Sequence, residues 1–248
     1  MERTDLVNGD IKLTQNTDGL CYGTDALLLS AFVSARRGGR AAELGAGTGI
    51  ISILCAKRGK FGQITAVELQ PEYASLCEKN VADNGMQDVI HVLCADVRDI
   101  DGTQVGAELD AVFANPPYLS AGSGPRNEND GKYAARHEVN GGIYDFCACA
   151  ARLLRHGGSA YYVFRPERLC DLLSAMRNTG TEPKRLTVVY SDRTHAPCLV
   201  LAEGRKGGKS GITVTRPLFV KENGEDSPAV KYIYERGEMP NGYGYGKK

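Results

Sequence analysis

The run Asp110-Ala111-Val112-Phe113-Ala114-Asn115-Pro116-Pro117-Tyr118 constrains the fold more than any other stretch of the chain. Its apolar half reads as a buried strand. The two prolines stop that strand at its C-terminal edge, because neither has an N–H for a sheet ladder and each fixes φ. A proline-rich docking segment would show the same four residues in a disordered tail. Here they close a strand inside an alternating pattern of strands and helices, which makes them part of an α/β sheet.

The chemistry of that strand end follows from its backbone. The residue before a proline is pushed to extended geometry, so the Asn115 side-chain amide projects from the sheet edge. The Pro116 carbonyl also points outward, and Pro117 has no N–H to occupy it. Two fixed oxygen acceptors can then grip the two hydrogens of a planar –NH₂ group, and the ring of Tyr118 offers a face on which a flat base stacks.

Composition sets the outer bounds. A chain of 248 residues with 42% hydrophobic and 24% charged residues is expected to form one domain over residues 1–240. Residues 1–38 form a short N-terminal extension, and 241–248 have too little apolar content to order themselves. The 30 basic and 30 acidic residues cancel, which excludes coating nucleic acid by bulk charge and leaves only a local patch for such a contact. The eight cysteines include no C-x-x-C pair and mostly sit in apolar segments, so they read as small buried hydrophobes kept reduced, with no metal centre expected. There is no signal-peptide core and no apolar run of membrane-spanning length, so the protein is expected to be cytoplasmic.

Along the chain, Met1–Tyr22 is polar and partly extended, with 13–15 and 19–22 as short strands or a hairpin. Thr24 or Asp25 opens an apolar helix, and Asp25 reads either as its cap or as a contact to a cofactor lying against that helix. Strand 40–44 runs through the glycine turn Gly45-Ala46-Gly47-Thr48-Gly49 into helix 50–56, the opening of a nucleotide-type α/β unit in which the helix N-terminus faces the ligand. A dinucleotide fingerprint would want a third glycine at position 50, where Ile50 stands instead. Glu43-x-Gly45-x-Gly47-x-Gly49 resembles the first motif of S-adenosylmethionine-dependent methyltransferases.

Strand 63–67 ends in Glu68, placed where a carboxylate can accept from both hydroxyls of a ribose. Strand 89–94 is followed by Asp96, which can accept from an adenine amino group. His91 reads as a packed or surface histidine. The long loop 119–137 carries Arg126, Lys132, Arg136 and His137 and is expected to fold over the substrate and contact phosphates. Helix 139–155, strand 159–164, helix 166–178, strands 185–190 and 198–203, the basic turn 205–209, the extended segment 211–220 and a short helix at 227–236 complete the pattern. The strand count is seven.

Gly45 to Gly49, Glu68, Asp96 and Asn115-Pro116-Pro117-Tyr118 stand in the order and spacing of amino methyltransferases. Over nearly its whole length the chain resembles the bacterial tRNA(Val) adenine-37 N6-methyltransferases, including Leu13-Thr14-Gln15, Tyr22 to Leu28, Ala135-Arg136-His137-Glu138, Pro183-Lys184-Arg185 and Leu199 to Gly204. The resemblance implies a Rossmann-like class I methyltransferase, with a seven-stranded, mostly parallel sheet covered by helices on both faces, that modifies the adenine 3′ of a tRNA anticodon. It implies S-adenosylmethionine as cofactor, contacted by Asp25, Glu43, Gly45, Gly47, Gly49, Glu68, Asp96 and Asn115. Asn115, Pro116 and Tyr118 are the expected catalytic set, and Tyr118, Arg136, His137, Lys184 and Arg185 the expected tRNA contacts, with no membrane or obligatory protein partner.

Within the same geometry, a glutamine amide of a protein, an rRNA base or a DNA adenine are the alternative targets. The first wants a larger N-terminal domain than the roughly forty residues before the glycine turn provide, and DNA enzymes usually add a recognition region. Outside the class, a cofactor-binding RNA adaptor without activity has no reason to keep both acceptors and Tyr118 together.

Overall fold

The computed structural model describes residues 2–7, 10–16, 23–106, 108–117 and 142–244. Strands β3 (Arg40–Leu44), β4 (Gln63–Glu68), β5 (Ile90–Cys94) and β6 (Leu109–Ala114) lie in the order β6-β3-β4-β5, all parallel. Strand β7 (Leu154–Phe164) pairs in parallel on the other side of β6. Strand β9 (Pro197–Lys206) then runs antiparallel between β7 and β8 (Thr181–Tyr190). Two-residue strands β10 (Thr213–Val214) and β11 (Leu218–Phe219) pair with β8, so among the described residues the sheet has nine strands where seven were expected, the seven long ones being β3 to β9.

Each central strand is apolar on both faces, as a parallel sheet between two helical layers requires. Ala41, Ile64, Ala111, Phe113, Tyr161 and Val163 face one layer. That layer is made by α1 (Thr24–Phe32), α2 (Ile50–Lys57), α3 (Pro71–Asp83) and α6 (Pro228–Arg236). Ala42, Leu44, Val67, Val112, Ala160 and Tyr162 face the other layer, made by α4 (Ile143–Leu153) and α5 (Leu169–Asn178). The helix expected over 139–155 ends at Leu153, because Leu154 already pairs with Leu109 and its carbonyl accepts from Lys206 Nζ at 2.5 Å.

Residues 19–22, read from sequence as a further short strand or hairpin arm, lie outside the described residues. In the N-terminal hairpin, strand β2 (Ile11–Asn16) pairs with β1 (Glu2–Val7). Two asparagines one helical turn apart on α3 hold its free edge. Asn84 Oδ1 accepts from Lys12 N (3.0 Å) while Asn84 Nδ2 donates to Lys12 O (2.7 Å). Asn80 Oδ1 accepts from Thr14 N (2.7 Å), and its Nδ2 donates to both Thr14 O and Thr48 O (3.0 Å each). The side-chain amides act as a surrogate strand, and Asn80 ties the hairpin to the glycine turn.

Buried polar residues brace the rest. Lys60, 3% exposed, donates to Ser30 O and Val33 O at 2.7 Å each and so satisfies the carbonyls at the end of α1. Arg185, expected to touch tRNA, is buried: its Nε donates to Glu203 Oε2 at 2.8 Å, its Nη1 to Tyr243 O and its Nη2 to Phe32 O, and the guanidinium lies 3.9 Å from the Phe32 ring centroid. It joins β8, β9, α1 and the C-terminal segment, and leaves no donor group turned toward a ligand. Glu43, expected at the cofactor, is 1% exposed, and its Oε2 accepts from Ser52 N (2.8 Å) and Ser52 Oγ (2.5 Å) in the first turn of α2. It fixes the angle at which β3 hands over to α2.

Two stability predictions follow from these braces. Replacing Arg185 by Ala strands the Glu203 carboxylate in the core and is expected to lower the unfolding free energy by about 3–5 kcal/mol, measured by denaturant titration. A loss below about 1 kcal/mol would show that the pair is not a brace. Burial pushes the Glu43 carboxyl up to about 8 from its ordinary 4.5. The native state therefore keeps a proton that the unfolded chain releases, and stability falls as pH climbs from about 4.5 through about 8. Burial raises Glu68 as well, with the same sign. Glu43→Gln should flatten much of that decline, on the order of 1 kcal/mol per pH unit, in unfolding curves taken across the window. An unchanged slope would contradict the buried, protonated Glu43.

Candidate active site

Parallel register assembles the site. Leu44 pairs with both Ala114 and Val67, and Glu68 pairs with Cys94. The residues just past these positions, Asn115, Gly45, Glu68 and Asp96, therefore stand in a row along the carboxyl ends of β6, β3, β4 and β5. At about 4.8 Å per strand the row spans roughly 15 Å. Chain ends and crossover turns at this edge are where an open α/β sheet binds its ligand.

The turn after β3 is shaped by glycines. Gly45, Gly47 and Gly49 have φ of 70°, 54° and 82°, a region that side chains disfavour. A Cβ on Gly49 would come within 2.5 Å of Cys77 Sγ, whereas one on Gly47 would meet nothing within 4 Å. The turn is thus packed tightly at its base and open at its tip. Gly47 N donates to Glu68 Oε2 at 2.8 Å, and Gln70 N donates to Oε1 at 2.9 Å. The Leu69 N–H also bonds this carboxylate, so backbone donors would share both Glu68 oxygens with a ribose diol. A ribose diol donating to them would favour the ionised carboxylate that burial disfavours.

Asp96 is engaged differently. Arg98 binds it from the side chain, with Nη2 to Oδ2 at 2.5 Å, and from the backbone, with Arg98 N to Oδ1 at 2.9 Å, and these bonds hold the carboxyl below its ordinary range. Any adenine amine at Asp96 would share an acceptor with Arg98.

Asn115 is the residue whose setting the sequence reading missed. Its Nδ2 donates to Asp25 Oδ2 at 2.9 Å, and Asp25 Oδ1 accepts from Ala26 N at 2.9 Å. An ionised carboxylate only accepts, so the amide nitrogen must face Asp25 and the amide oxygen must face away from it. The N-cap of α1 is Gly23, and Asp25, read from sequence as a cap or a cofactor contact, bonds both the first-turn Ala26 N–H and the Asn115 amide. No local pattern in the sequence reports this contact, because ninety residues separate the partners. Asn80 was missed as well. Its signal was an asparagine inside a helix, which it disfavours unless its side chain bonds to backbone, with a second asparagine one turn on at the helix end.

Pro116 is buried beside Asn115. Tyr118, Arg136 and His137 lie outside the described residues. Lys184 Nζ donates to Lys209 O and Gly211 O, at the far side of β8 from this row. An adenosine carrying an amino-acid tail matches the donor and acceptor set: an open glycine turn, the paired acceptors of Glu68, and Asn115 at the end of the row.

Residues 17–177 match the family model described as the methyltransferase small domain. Among curated proteins, a tRNA1(Val) (adenine(37)-N6)-methyltransferase of Shewanella amazonensis is 29% identical over 77% of this chain and 81% of its own. One of the same name from Shewanella woodyi is 26% identical over 91% and 92%. Among solved structures, an Agrobacterium tumefaciens protein titled a predicted O-methyltransferase superposes with a TM-score of 0.71 at 23% identity, over 87% of this chain and 98% of that one. A tRNA methyltransferase of M. jannaschii gives a TM-score of 0.58 at 16% identity, over 84% and 57%, and shares the fold. The match covers more than half of the chain, and the chain therefore belongs to the methyltransferase small-domain family, as an S-adenosylmethionine-dependent methyltransferase.

Proposed function

We infer that the chain methylates the N6 amine of adenine in tRNA, and that its target is adenine-37 beside the anticodon of a tRNA(Val). The observation that carries this reading is the hydrogen bond from Asn115 Nδ2 to Asp25 Oδ2 at 2.9 Å, which turns the Asn115 oxygen into a fixed acceptor next to the glycine turn. The name carried by both Shewanella relatives supports it.

Bound S-adenosylmethionine supplies a methyl group on a positively charged sulfur. The chain's residues do the remaining work. The N6 lone pair of adenine is delocalised into the ring, so the amine is a weak nucleophile. Asn115 Oδ1 and the Pro116 carbonyl each accept one of its hydrogens, which favours a pyramidal nitrogen with its lone pair presented to the methyl group. These acceptors strengthen as positive charge develops on nitrogen, so they act on the transition state more than on the bound substrate. Tyr118 stacks the target base, an interaction of about 1–3 kcal/mol, and an anticodon loop already has splayed bases, so little pairing must be undone.

Methyl transfer from labelled cofactor to tRNA, protein and DNA in parallel tests the substrate class; label appearing only in protein or DNA overturns the reading. Asn115→Ala is expected to lower the single-turnover rate by about 10²-fold or more with cofactor affinity nearly unchanged. Asp25→Asn lets the Asn115 amide turn over, and losing a hydrogen bond to a charged group, about 1.5–3 kcal/mol, corresponds to a fall in kcat of about tenfold or more. Cofactor Kd is the control: a weakened Kd with intact kcat would instead assign Asp25 to the cofactor. Tyr118→Ala should lose more activity than Tyr118→Phe, since the ring and not the hydroxyl is proposed to act.

A further inference from the structure

We propose that the amino edge of the sheet, opposite the methyl-transfer edge, is a second RNA surface that holds phosphates outside the anticodon loop. It rests on the tRNA reading above and deepens it.

The contacts that build this edge form one continuous chain. Arg36 and Arg155 converge on Asp110 Oδ1 at 3.0 and 2.8 Å. Lys206 Nζ reaches the carbonyl of Leu154, the neighbour of Arg155. A Cβ on Gly207 would strike the His156 ring, so the 205–209 turn lies directly against the start of β7. Lys184 Nζ extends the edge to Lys209 O and Gly211 O.

Two features make this edge more than a solvated set of charges. Lys184 and Lys206 give these hydrogen bonds to carbonyls, so their positions are fixed while neither forms a salt bridge among the described residues. Arg37, Arg205 and Lys209 are exposed and form no salt bridge among the described residues. Of the carboxylates nearby, Asp110 is shared by two arginines, Glu182 is paired with Arg177, and Glu108 is the exposed one. In a chain whose formal net charge is zero, this is a local excess of positive charge. Between the start of β7 and the 205–209 turn the cations are separated by glycines (Gly157, Gly158, Gly207, Gly208), and the exposed apolar residues Ile212 and Val214 stand only at the outer end, past Gly211. That suits a phosphate backbone better than the apolar centre of a protein interface.

The register sets the distance. Arg205 pairs with Ser159, about four residues below the level of Asn115 and two strands across from it. That separates the backbone at Arg205 from that at Asn115 by roughly 15–20 Å, so a nucleotide held there is not the one at the methyl-transfer edge.

The test is the triple variant Arg37→Ala, Arg205→Ala, Lys209→Ala in the otherwise intact chain, with its melting temperature as the fold control. Binding of a full-length tRNA transcript is followed by fluorescence anisotropy from about 50 to 250 mM salt. The slope of log K against log salt is expected to fall by about 2–3, since each phosphate contact contributes about 0.7–0.9. KM for tRNA should rise about tenfold with kcat unchanged, and a short single-stranded oligonucleotide carrying the target adenine should be handled as by the parent. An unchanged slope and KM overturn the proposal, as does an equal loss on tRNA and oligonucleotide. If the parent binds tRNA with a salt slope that the variant loses, yet neither methylates adenine, the surface stands and the adenine reading falls. If the parent methylates tRNA and the variant keeps its slope, the surface alone falls.

Discussion

Parallel pairing of β6, β3, β4 and β5 is the constraint on which everything else in this molecule depends. In a parallel sheet all strands leave at one edge, so whatever follows each strand is delivered to the same line. The register then decides which residues meet. Because Leu44 pairs with both Ala114 and Val67, a one-residue slip would exchange the two faces of a strand and move Asn115 off the glycine turn. The alternation of Val112 and Phe113 between the two helical layers opposes such a slip. The apolar core is therefore what aims the polar residues at the edge.

Those polar residues are held by a second tier of buried groups. Glu43 sets the strand-to-helix angle through Ser52, Lys60 closes the end of α1, and Arg185 joins α1 to the antiparallel half of the sheet. Each is a group that would be expensive to bury alone and that is satisfied by carbonyls, N–H groups or an opposite charge. Lys60 and Arg185 both hold the C-terminal end of α1, and α1 carries Asp25 in its first turn. The orientation of the Asn115 amide thus traces back to contacts several residues away from the site.

Much of this was legible in the sequence where the signal is local. Gly45 to Gly49 demands a left-handed turn, Glu68 ends a strand, and the two prolines stop β6; each is read within a few residues. What was not legible depends on partners far along the chain. Arg185 looked like a surface cation because it sits beside Lys184 in a charged stretch, yet strand alternation sends the two to opposite faces, one to Glu203 and one to Lys209 O. The pairing of 2–7 with 11–16 was not singled out either, since 2–7 is short and polar and only the paired geometry identifies it as a strand. Asp25 carried two local readings, and its bond to Asn115 ninety residues away could be seen in neither.

The N-terminal hairpin shows how such long-range contacts can matter for chemistry. Asn80 donates from one amide nitrogen to Thr14 O on the hairpin and to Thr48 O in the glycine turn, so the turn cannot shift without either breaking a buried bond or moving the hairpin. Such a bond, once broken inside the protein, leaves a carbonyl without a partner, a penalty of about 1–3 kcal/mol. The cofactor turn is thereby held rigid before any ligand arrives, and the helix bearing Asp25 begins only a few residues after the hairpin ends. Asn80 thus binds the hairpin and the glycine turn into one unit, and the packing of α3 against β2 helps to set where that turn stands beside Asn115 at the carboxyl edge of the sheet.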